Sequence, residues 1–416
     1  MHQFMHRPQE MAEHSTSAKA TRTPPPATSV AASARPAPLR LDEDSTTSSP
    51  ALPAVTFSTL VGPLAALQAV VDSWDRLVDA ASLRVAVPPR ILSLPPEAQR
   101  YAEQILRVAV VRHPPTVGAR LVAALPAAIT SAGIVGITVE EGYYLRPSAP
   151  PGATDPPPRR TSARWSVRWE DDVGAEALCP SLAGIPRLAL GVRFMREWPI
   201  PPRVVVIDTG DEGSQHQVFF DSWDAADEQP CDHHGHGTSV GALLRLAAPH
   251  AIVSSSRVMG AGEKVVESSY LLNAVTVAVG AIGVYDVVCV PQRADISPHK
   301  LGQQMALHRM IRQNANNGMR TPVVVCAAGN DGPKRPMSYP ATVAGVIVAT
   351  AVDRTGARAS YNCHPPLGRV VHCVEALGGT SYAPLGTLSG PGTRSRIFGS
   401  SYATAIVAGA LLAARG

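Results

Sequence analysis

The chain has 416 residues, of which 45% are hydrophobic and 17% charged, so it is long enough for two or three domains with a sizeable buried core. This composition excludes a wholly disordered chain. The formal net charge of +4 and the low aromatic content of 5% give no support for a nucleic-acid partner.

The N-terminal residues 1–55 are rich in Pro, Ser and Thr and poor in aliphatic residues, which predicts a disordered arm. The first residues contain no apolar core of a secretory signal, which favours a cytoplasmic chain. The longest apolar stretch, Tyr270 to Val290, is interrupted by polar residues and predicts a helix followed by a buried strand. No membrane partner is therefore expected.

Residues 56–145 predict a small α+β module with a regulatory or targeting role. The module can bind a regulatory partner, or it can be an inhibitory propeptide. Its predicted elements are a helix from Leu64 to Val78, a second helix from about Pro96 through Val108, a third over residues 116–132 and a strand over residues 133–145. Residues 146–164 are rich in proline and predict a stiff linker.

Residues 165–416 contain short Val/Ile/Ala runs separated by segments of helical length, which predicts an α/β domain with a mostly parallel sheet flanked by helices. The runs are RVVVID, AIVSSSRVM, DVVCV, PVVVCAAGN and GVIVATAV. Functional groups in such sheets gather at the carboxyl ends of the strands. The six cysteines form no CxxC pair and predict reduced thiols, with a Cys363–Cys373 disulfide as the alternative for an exported protein.

Asp208 ends the run RVVVID and places a carboxylate at the edge of a central strand. A turn or helix cap is the simplest interpretation of such a residue. The string Asp-Thr-Gly also occurs in aspartic proteases, which need two carboxylates sharing a proton. Because this sequence holds no second copy of the motif, that alternative requires a homodimer.

His236 lies between two glycines in DHHGHGTSVGALL, directly before an apolar run of helical character. The glycines suit an accessible imidazole that acts as a general base. The alternative is a zinc site made by His233, His234 and His236, but the sequence has no i, i+4 ligand pair and no cysteine at a familiar spacing. We therefore predict no metal at this place.

Asn330 follows the run PVVVCAAG, and Ser401 stands at the start of the small-residue helix SSYATAIVAGALLA. Each has a structural interpretation, as a turn residue and as a helix cap. A helix N-terminus also stabilises negative charge that develops near its first amides. Taken one at a time, Asp208, His236, Asn330 and Ser401 are therefore weak signals of an active site.

In this order, VVVIDTG, GHGTSVGA, AAGN and GSSYATAIVAG resemble the Asp, His, Asn and Ser motifs of the subtilisin-like serine proteases, the subtilases. The similarity covers about residues 201–416. It implies a serine endopeptidase in which Ser401 is the nucleophile, His236 the general base and Asp208 its orienting carboxylate. It implies Asn330 as an oxyanion donor, a protein or peptide substrate, and no cofactor, with a structural calcium ion left open.

The sequence departs from the family at several positions: Ser400 replaces a common Thr, and DVVCVPQR (residues 286–293) replaces a Ser-Leu-Gly segment of the substrate cleft. Pro291 has no amide hydrogen for pairing with a substrate strand. Residues 208–232 hold eight acidic residues and no Lys or Arg. The acidic stretch is open to two interpretations, as a solvated loop or as a calcium site of the kind that some relatives have. The alternative is a negative potential beside the cleft, which predicts narrow specificity with a preference for basic sites. A catalytically silent scaffold that binds peptides is the alternative function.

Overall fold

The structure is a computed structural model, and it describes part of the chain. The described residues are 56–85, 87–94, 99, 105–142, 144–147, 164–171, 173, 201–214, 216–219, 232–259, 266–280, 284–294, 307–308, 311, 321–367, 371–390 and 393–413. The predicted arm and most of the predicted linker lie outside the described residues.

Six helices and seventeen strands are numbered here in chain order within the described residues. The helices are α1 (Leu64–Asp72), α2 (Trp74–Ala80), α3 (Gly118–Ser131), α4 (His236–Ala247), α5 (Ser268–Gly280) and α6 (Ser400–Ala413). The strands are β1 (Thr56–Gly62), β2 (Arg90–Ile91), β3 (Arg107–His113), β4 (Thr138–Glu141), β5 (Tyr144–Pro147), β6 (Ser166–Trp169), β7 (Arg203–Asp208), β8 (His216–Phe219), β9 (Ile252–Arg257), β10 (Val266–Glu267), β11 (Val287–Val290), β12 (Gln292–Ala294), β13 (Val323–Ala327), β14 (Ile347–Val352), β15 (His372–Leu377), β16 (Gly386–Gly390) and β17 (Thr393–Ile397).

The first sheet is antiparallel, in the order β2-β3-β1-β4, and it is covered on one face by α1, α2 and α3. Successive side chains of a strand point to opposite faces. Accordingly, Leu60 of β1 and Val111 of β3 pack against these helices. Val61 of β1 and Val110 of β3 pack on the other face, in one cluster with residues of α5. Both faces of the sheet are therefore buried, one by α1, α2 and α3 and the other by the cluster that includes α5.

Two predictions for this region are wrong. The helix expected from Leu64 to Val78 is two helices, since α1 ends at Asp72 and α2 begins at Trp74. The helix expected to run through Val108 is replaced there by the strand β3. The segment RVAVVRH is short and rich in valine, and its seven residues pair with β1, so tertiary pairing decides between two structures that the apolar pattern allows.

The main sheet has seven strands in the order β15-β14-β13-β11-β7-β9-β8, and every neighbouring pair in it is parallel. The predicted strand runs occupy β7, β9, β11, β13 and β14, which confirms the predicted α/β fold with a mostly parallel sheet. β7 lies between β11 and β9, so its carboxyl end lies near the middle of the edge where the parallel strands end. The apolar helices α4 and α6 pack on this sheet in one cluster.

A separate three-stranded antiparallel sheet has the order β10-β5-β12. Pro147 of β5 pairs with Gln292 of β12, and Leu145 pairs with Ala294. Residues Arg146 and Pro147, which the sequence assigns to the linker, are therefore the end of a strand. A long-range partner such as β12 leaves no local signal, so composition alone places the boundary too early.

The stretch from Tyr270 to Val290 forms most of α5 and then β11, as predicted. Among the described residues, no helix is long and apolar enough to cross a membrane. The cytoplasmic location stays a prediction. Cys363 and Cys373, the pair considered for a disulfide, are both free thiols.

Candidate active site

Asp208 is the last residue of β7 and is fully buried at the carboxyl end of the main sheet. Its Oδ1 oxygen accepts the backbone N–H of Thr209 at 2.7 Å. The same oxygen lies 2.8 Å from Nδ1 of His236, and Oδ2 lies 2.9 Å from that nitrogen. A carboxylate in this position fixes the imidazole and stabilises its protonated form.

His236 is the first residue of α4, and the turn before it is held by the buried side chain of Asp232. One oxygen of Asp232 accepts the amides of His234 and Gly235 at 2.9 and 2.8 Å. The other accepts the amide and hydroxyl of Thr238, each at 2.8 Å. Gly235 has a φ of 75°, which favours glycine. Asp232 thus caps α4 and fixes the position of His236.

Ser401 is the second residue of α6 and is fully buried. Its hydroxyl donates to the backbone carbonyl of Pro291 at 3.0 Å. The next residue, Tyr402, brings the start of α6 to His236, with ring centroids 5.8 Å apart. The Tyr402 hydroxyl is hydrogen-bonded to the Ser239 hydroxyl, which donates to the carbonyl of His236. Burial raises the pKa of Tyr402, so its phenol is neutral at physiological pH.

Asn330 lies beside the start of α6, in the loop after β13. Its Oδ1 accepts the amide of Ser400 at 2.9 Å, and the amide of Gly329 donates to the Ser400 hydroxyl at 3.1 Å. An Asn side chain carries one acceptor and one NH₂ donor on the same carbon. Because the acceptor is held by Ser400, the orientation of the donor is fixed as well.

Gln292 and Arg293 bring β12 into the same site. The Nε2 amide of Gln292 donates to Oδ1 of Asp208 at 3.0 Å. The Arg293 side chain forms an ion pair with Asp331, the neighbour of Asn330. The structure therefore brings Asp208 and His236 into contact, and it places the starts of α6 and β12 and the Asn330 loop around them.

The acidic stretch 208–232 is described in part. Of its described members, Asp208 contacts His236 and Asp232 caps α4, while Asp211 forms a double hydrogen bond with Arg245 at 2.7 and 3.0 Å. Glu212 accepts the amide of Trp165. Burial raises the pKa of Asp211 against the opposing effect of Arg245. The four remaining acidic residues lie outside the described part, so the predicted negative potential beside the cleft stays a prediction.

Among the described residues, no group of three or more His, Cys, Asp or Glu side chains could hold a metal ion. The calcium alternative, which concerns residues that are partly undescribed, stays open. Of the histidines considered for zinc, His236 contacts Asp208, and the backbone amide of His234 donates to Asp232.

Two residues of the site were missed by the sequence analysis. Asp232 is of a residue type that often binds helix N-terminal amides, but it lies three residues before the N-cap residue Gly235, so the sequence does not mark it as the cap. Gln292 lies in the segment DVVCVPQR, which the sequence marks as unusual, but no local pattern shows where its side chain points.

The family model described as the subtilase family matches residues 132–415. The chain belongs to the subtilase family. This subtilase is accordingly a serine endopeptidase, and a catalytic triad and an oxyanion hole are typical of its family. The sequence-based prediction of family and enzyme class is confirmed.

Two solved structures resemble this subtilase. One is the prenylagaramide maturation protease PagA, with 20% identity over 55% of this chain and 80% of that chain, and a TM-score of 0.39. The other is the epidermin leader peptide processing serine protease EpiP of Staphylococcus aureus, with 15% identity over 86% of this chain and 88% of that chain, and a TM-score of 0.47. No curated protein matches the sequence.

Proposed function

We propose that this subtilase cleaves peptide bonds through Asp208, His236 and Ser401, with an acyl-enzyme intermediate. The observation that carries the proposal is the contact of 2.8 Å between Asp208 and His236 beside the start of α6. A buried carboxylate on Nδ1 holds the tautomer in which Nε2 accepts a proton. This arrangement suits general-base activation of a serine hydroxyl.

In the first step, Ser401 Oγ bonds to the scissile carbonyl carbon and its proton passes to Nε2 of His236. The tetrahedral intermediate collapses when the C–N bond breaks and His236 gives that proton to the leaving amine. Water then attacks the acyl-enzyme by the same route and releases Ser401. Asn330 and the backbone amides at the start of α6 stabilise the oxyanion in both steps.

We also propose that the N-terminal module occupies the substrate cleft in the uncleaved chain. β5 lies between β10 and β12 as the middle strand of an antiparallel sheet. Its direction runs from Leu145, opposite Ala294, to Pro147, opposite Gln292. Gln292 directly follows Pro291, whose carbonyl accepts the Ser401 hydroxyl. The strand therefore leads its own C-terminal end towards Ser401.

Strand addition of this kind is a common way to bind an extended peptide, because backbone hydrogen bonds supply affinity for many sequences. The pairing with β5 is possible although Pro291 lacks an amide hydrogen, because the paired residues begin at Gln292. We propose that the first substrate is the chain itself, cut shortly after Pro147, and that later substrates bind β12 in the same direction.

One experiment tests both parts. Purified full-length wild type and Ser401→Ala are incubated, and intact mass and new N-termini are measured. We expect wild type to lose its N-terminal part with a new terminus shortly after residue 147, and to react with a fluorophosphonate probe. Ser401→Ala should stay intact and unlabelled.

Labelling without any cut near residue 147 would overturn the self-cleavage part alone. An unlabelled wild type, before and after limited trypsin treatment, would favour the catalytically silent scaffold. Cleavage by a contaminating protease is excluded if Ser401→Ala, purified in parallel, stays uncut at every protein concentration tested.

A further inference from the structure

Gln292 is a buried polar side chain without an assigned role in hydrolysis. Its side chain is fully buried, and its Nε2 amide donates to Oδ1 of Asp208 at 3.0 Å. A carboxylate oxygen accepts hydrogen bonds and does not donate them, so the NH₂ end of the amide must face Asp208. The Oε1 end has no hydrogen-bond partner within the described part of the chain.

This arrangement is unfavourable for a residue that only fills space. A buried amide with one unmatched end destabilises the folded state relative to an apolar side chain of the same size. The benefit of the amide therefore lies at its other end, on Asp208. Gln292 is held there by its backbone, since β12 is paired with β5.

Three donors converge on the same oxygen of Asp208. They are the backbone N–H of Thr209, Nδ1 of His236 and Nε2 of Gln292, at 2.7, 2.8 and 3.0 Å. A hydrogen bond to a carboxylate stabilises its charged form and draws electron density from it. The carboxylate then stabilises the protonated imidazole less strongly, so more of His236 is available as a base near neutral pH.

We propose that Gln292 is a positioning residue that orients the Asp208 carboxylate and tunes the basicity of His236. This inference rests on the proposed triad. Alternation along β12 supports it, because Gln292 points inward to Asp208 while its neighbour Arg293 pairs with Asp331 on the loop of Asn330.

The other titratable groups around the pair are Tyr402, Cys289, Asp232, His233 and His234. Burial raises the pKa of both Tyr402 and Cys289, so both are neutral near pH 7. Asp232 caps α4 through both of its oxygens. His233 and His234 lie next to the site, and the Nδ1–H signal shared with Asp208 separates His236 from them.

The test is an NMR titration of the His236 Nδ1–H signal in the full chain carrying Ser401→Ala, which prevents self-cleavage. Gln292→Met and Gln292→Leu are added to this background. We expect both to raise the pKa of His236 by roughly 0.5 to 1 pH unit, because both remove the donor. Arg293→Lys is the matched control on the same strand, keeps its charge, and should leave the pKa unchanged.

The result that overturns the proposal is an unchanged His236 pKa in both Gln292 variants, or an equal shift in Arg293→Lys. A purely structural role predicts a lower Tm without a pKa shift. If Gln292→Leu does not fold, the unbranched Met variant still decides the outcome. The titration needs no turnover, so it is independent of the probe experiment that tests hydrolysis itself.

In processed enzyme with Ser401 intact, the acid limb of kcat/KM should move to higher pH in Gln292→Met. The sign follows because a higher pKa leaves less neutral His236 below the new midpoint. We expect kcat to fall about 10-fold with KM nearly unchanged, because without Gln292 the Asp208 carboxylate no longer holds His236 in the orientation that the transition state requires.

Discussion

Ser400 and Asn330 are joined by a hydrogen bond of 2.9 Å from the backbone amide of Ser400 to the side-chain oxygen of Asn330. The bond ties the residue before the proposed nucleophile to the proposed oxyanion donor. The Ser400 hydroxyl extends the link to the amide of Gly329. Both partners are buried, so this connection is shielded from water.

Asn330→Ala should lower kcat with little change in KM, because the amide contacts charge that exists mainly in the transition state. Loss of one such donor in a subtilisin, another member of this family, costs about 100- to 1000-fold in kcat. Ser400→Ala keeps its backbone amide and should cost much less. Steady-state kinetics on a peptide substrate measure both, and a KM effect as large as the kcat effect would refute the oxyanion role.

Asp208→Asn should reduce kcat/KM by about 10⁴-fold while the protein stays folded, because the amide favours the wrong tautomer of His236. His236→Ala and Ser401→Ala should lose at least as much kcat/KM. The variant that carries both of these changes should lose no more than either alone, since triad members act as a unit. Near-normal turnover of Ser401→Ala would show that another group is the nucleophile.

Tyr402→Phe should lower stability by about 1 kcal/mol, because it removes one buried hydrogen bond to Ser239. It should also lower activity, because the Tyr402 hydroxyl is bonded to Ser239, whose own hydroxyl donates to the carbonyl of His236. Thr350→Val is the control, since it removes the buried hydrogen bond that Thr350 donates to the carbonyl of Val374, between β14 and β15. Denaturant unfolding and kcat/KM are compared, and equal activity losses at the two positions would contradict the prediction.

Cleavage of peptide libraries should show a preference for Lys or Arg near the scissile bond, and the preference should weaken as salt rises. The prediction depends on the acidic residues between Asp208 and Asp232, whose field is screened over about 10 Å at 0.1 M salt. The measurement is a cleavage profile at two salt concentrations. Efficient cleavage of acidic sequences, or broad casein digestion, would contradict it.

Alkylation by iodoacetamide at mildly alkaline pH should label Cys373 before Cys289 and Cys326. Cys373 is exposed, whereas Cys289 is buried in β11 and Cys326 in β13. Desolvation raises the pKa of all three thiols, that of Cys289 by a large amount, and the thiolate is the reactive form, so the order of labelling follows mainly from access. Peptide mass spectrometry after timed quenching measures the order. Early labelling of Cys289 would mean that the main sheet opens readily.

The main sheet could be predicted from the sequence because each buried parallel strand is a continuous run of small or branched apolar residues, as in RVVVID. The four proposed site residues could be predicted because each follows such a run or begins a helix. Their meeting at one edge follows from the parallel order of the strands.

The remaining features depend on contacts between distant segments. The strand β3 pairs with β1 and buries valines on two faces, a pattern that a short sequence window does not distinguish from a helix. Pro147 pairs with Gln292, 145 positions further along the chain, and proline-rich composition points to a linker instead. The direction of the Gln292 side chain requires β12 to be placed against Asp208.

The position of β5 between β10 and β12 affects how activity depends on enzyme concentration. In the proposed mechanism, the strand that occupies the cleft of the uncut chain belongs to the same molecule, so its local concentration does not change on dilution. After a cut behind Pro147, the same contact is between two molecules and obeys mass action. The specific activity of the cut enzyme should therefore rise on dilution, whereas that of an uncut chain should stay near zero at every concentration.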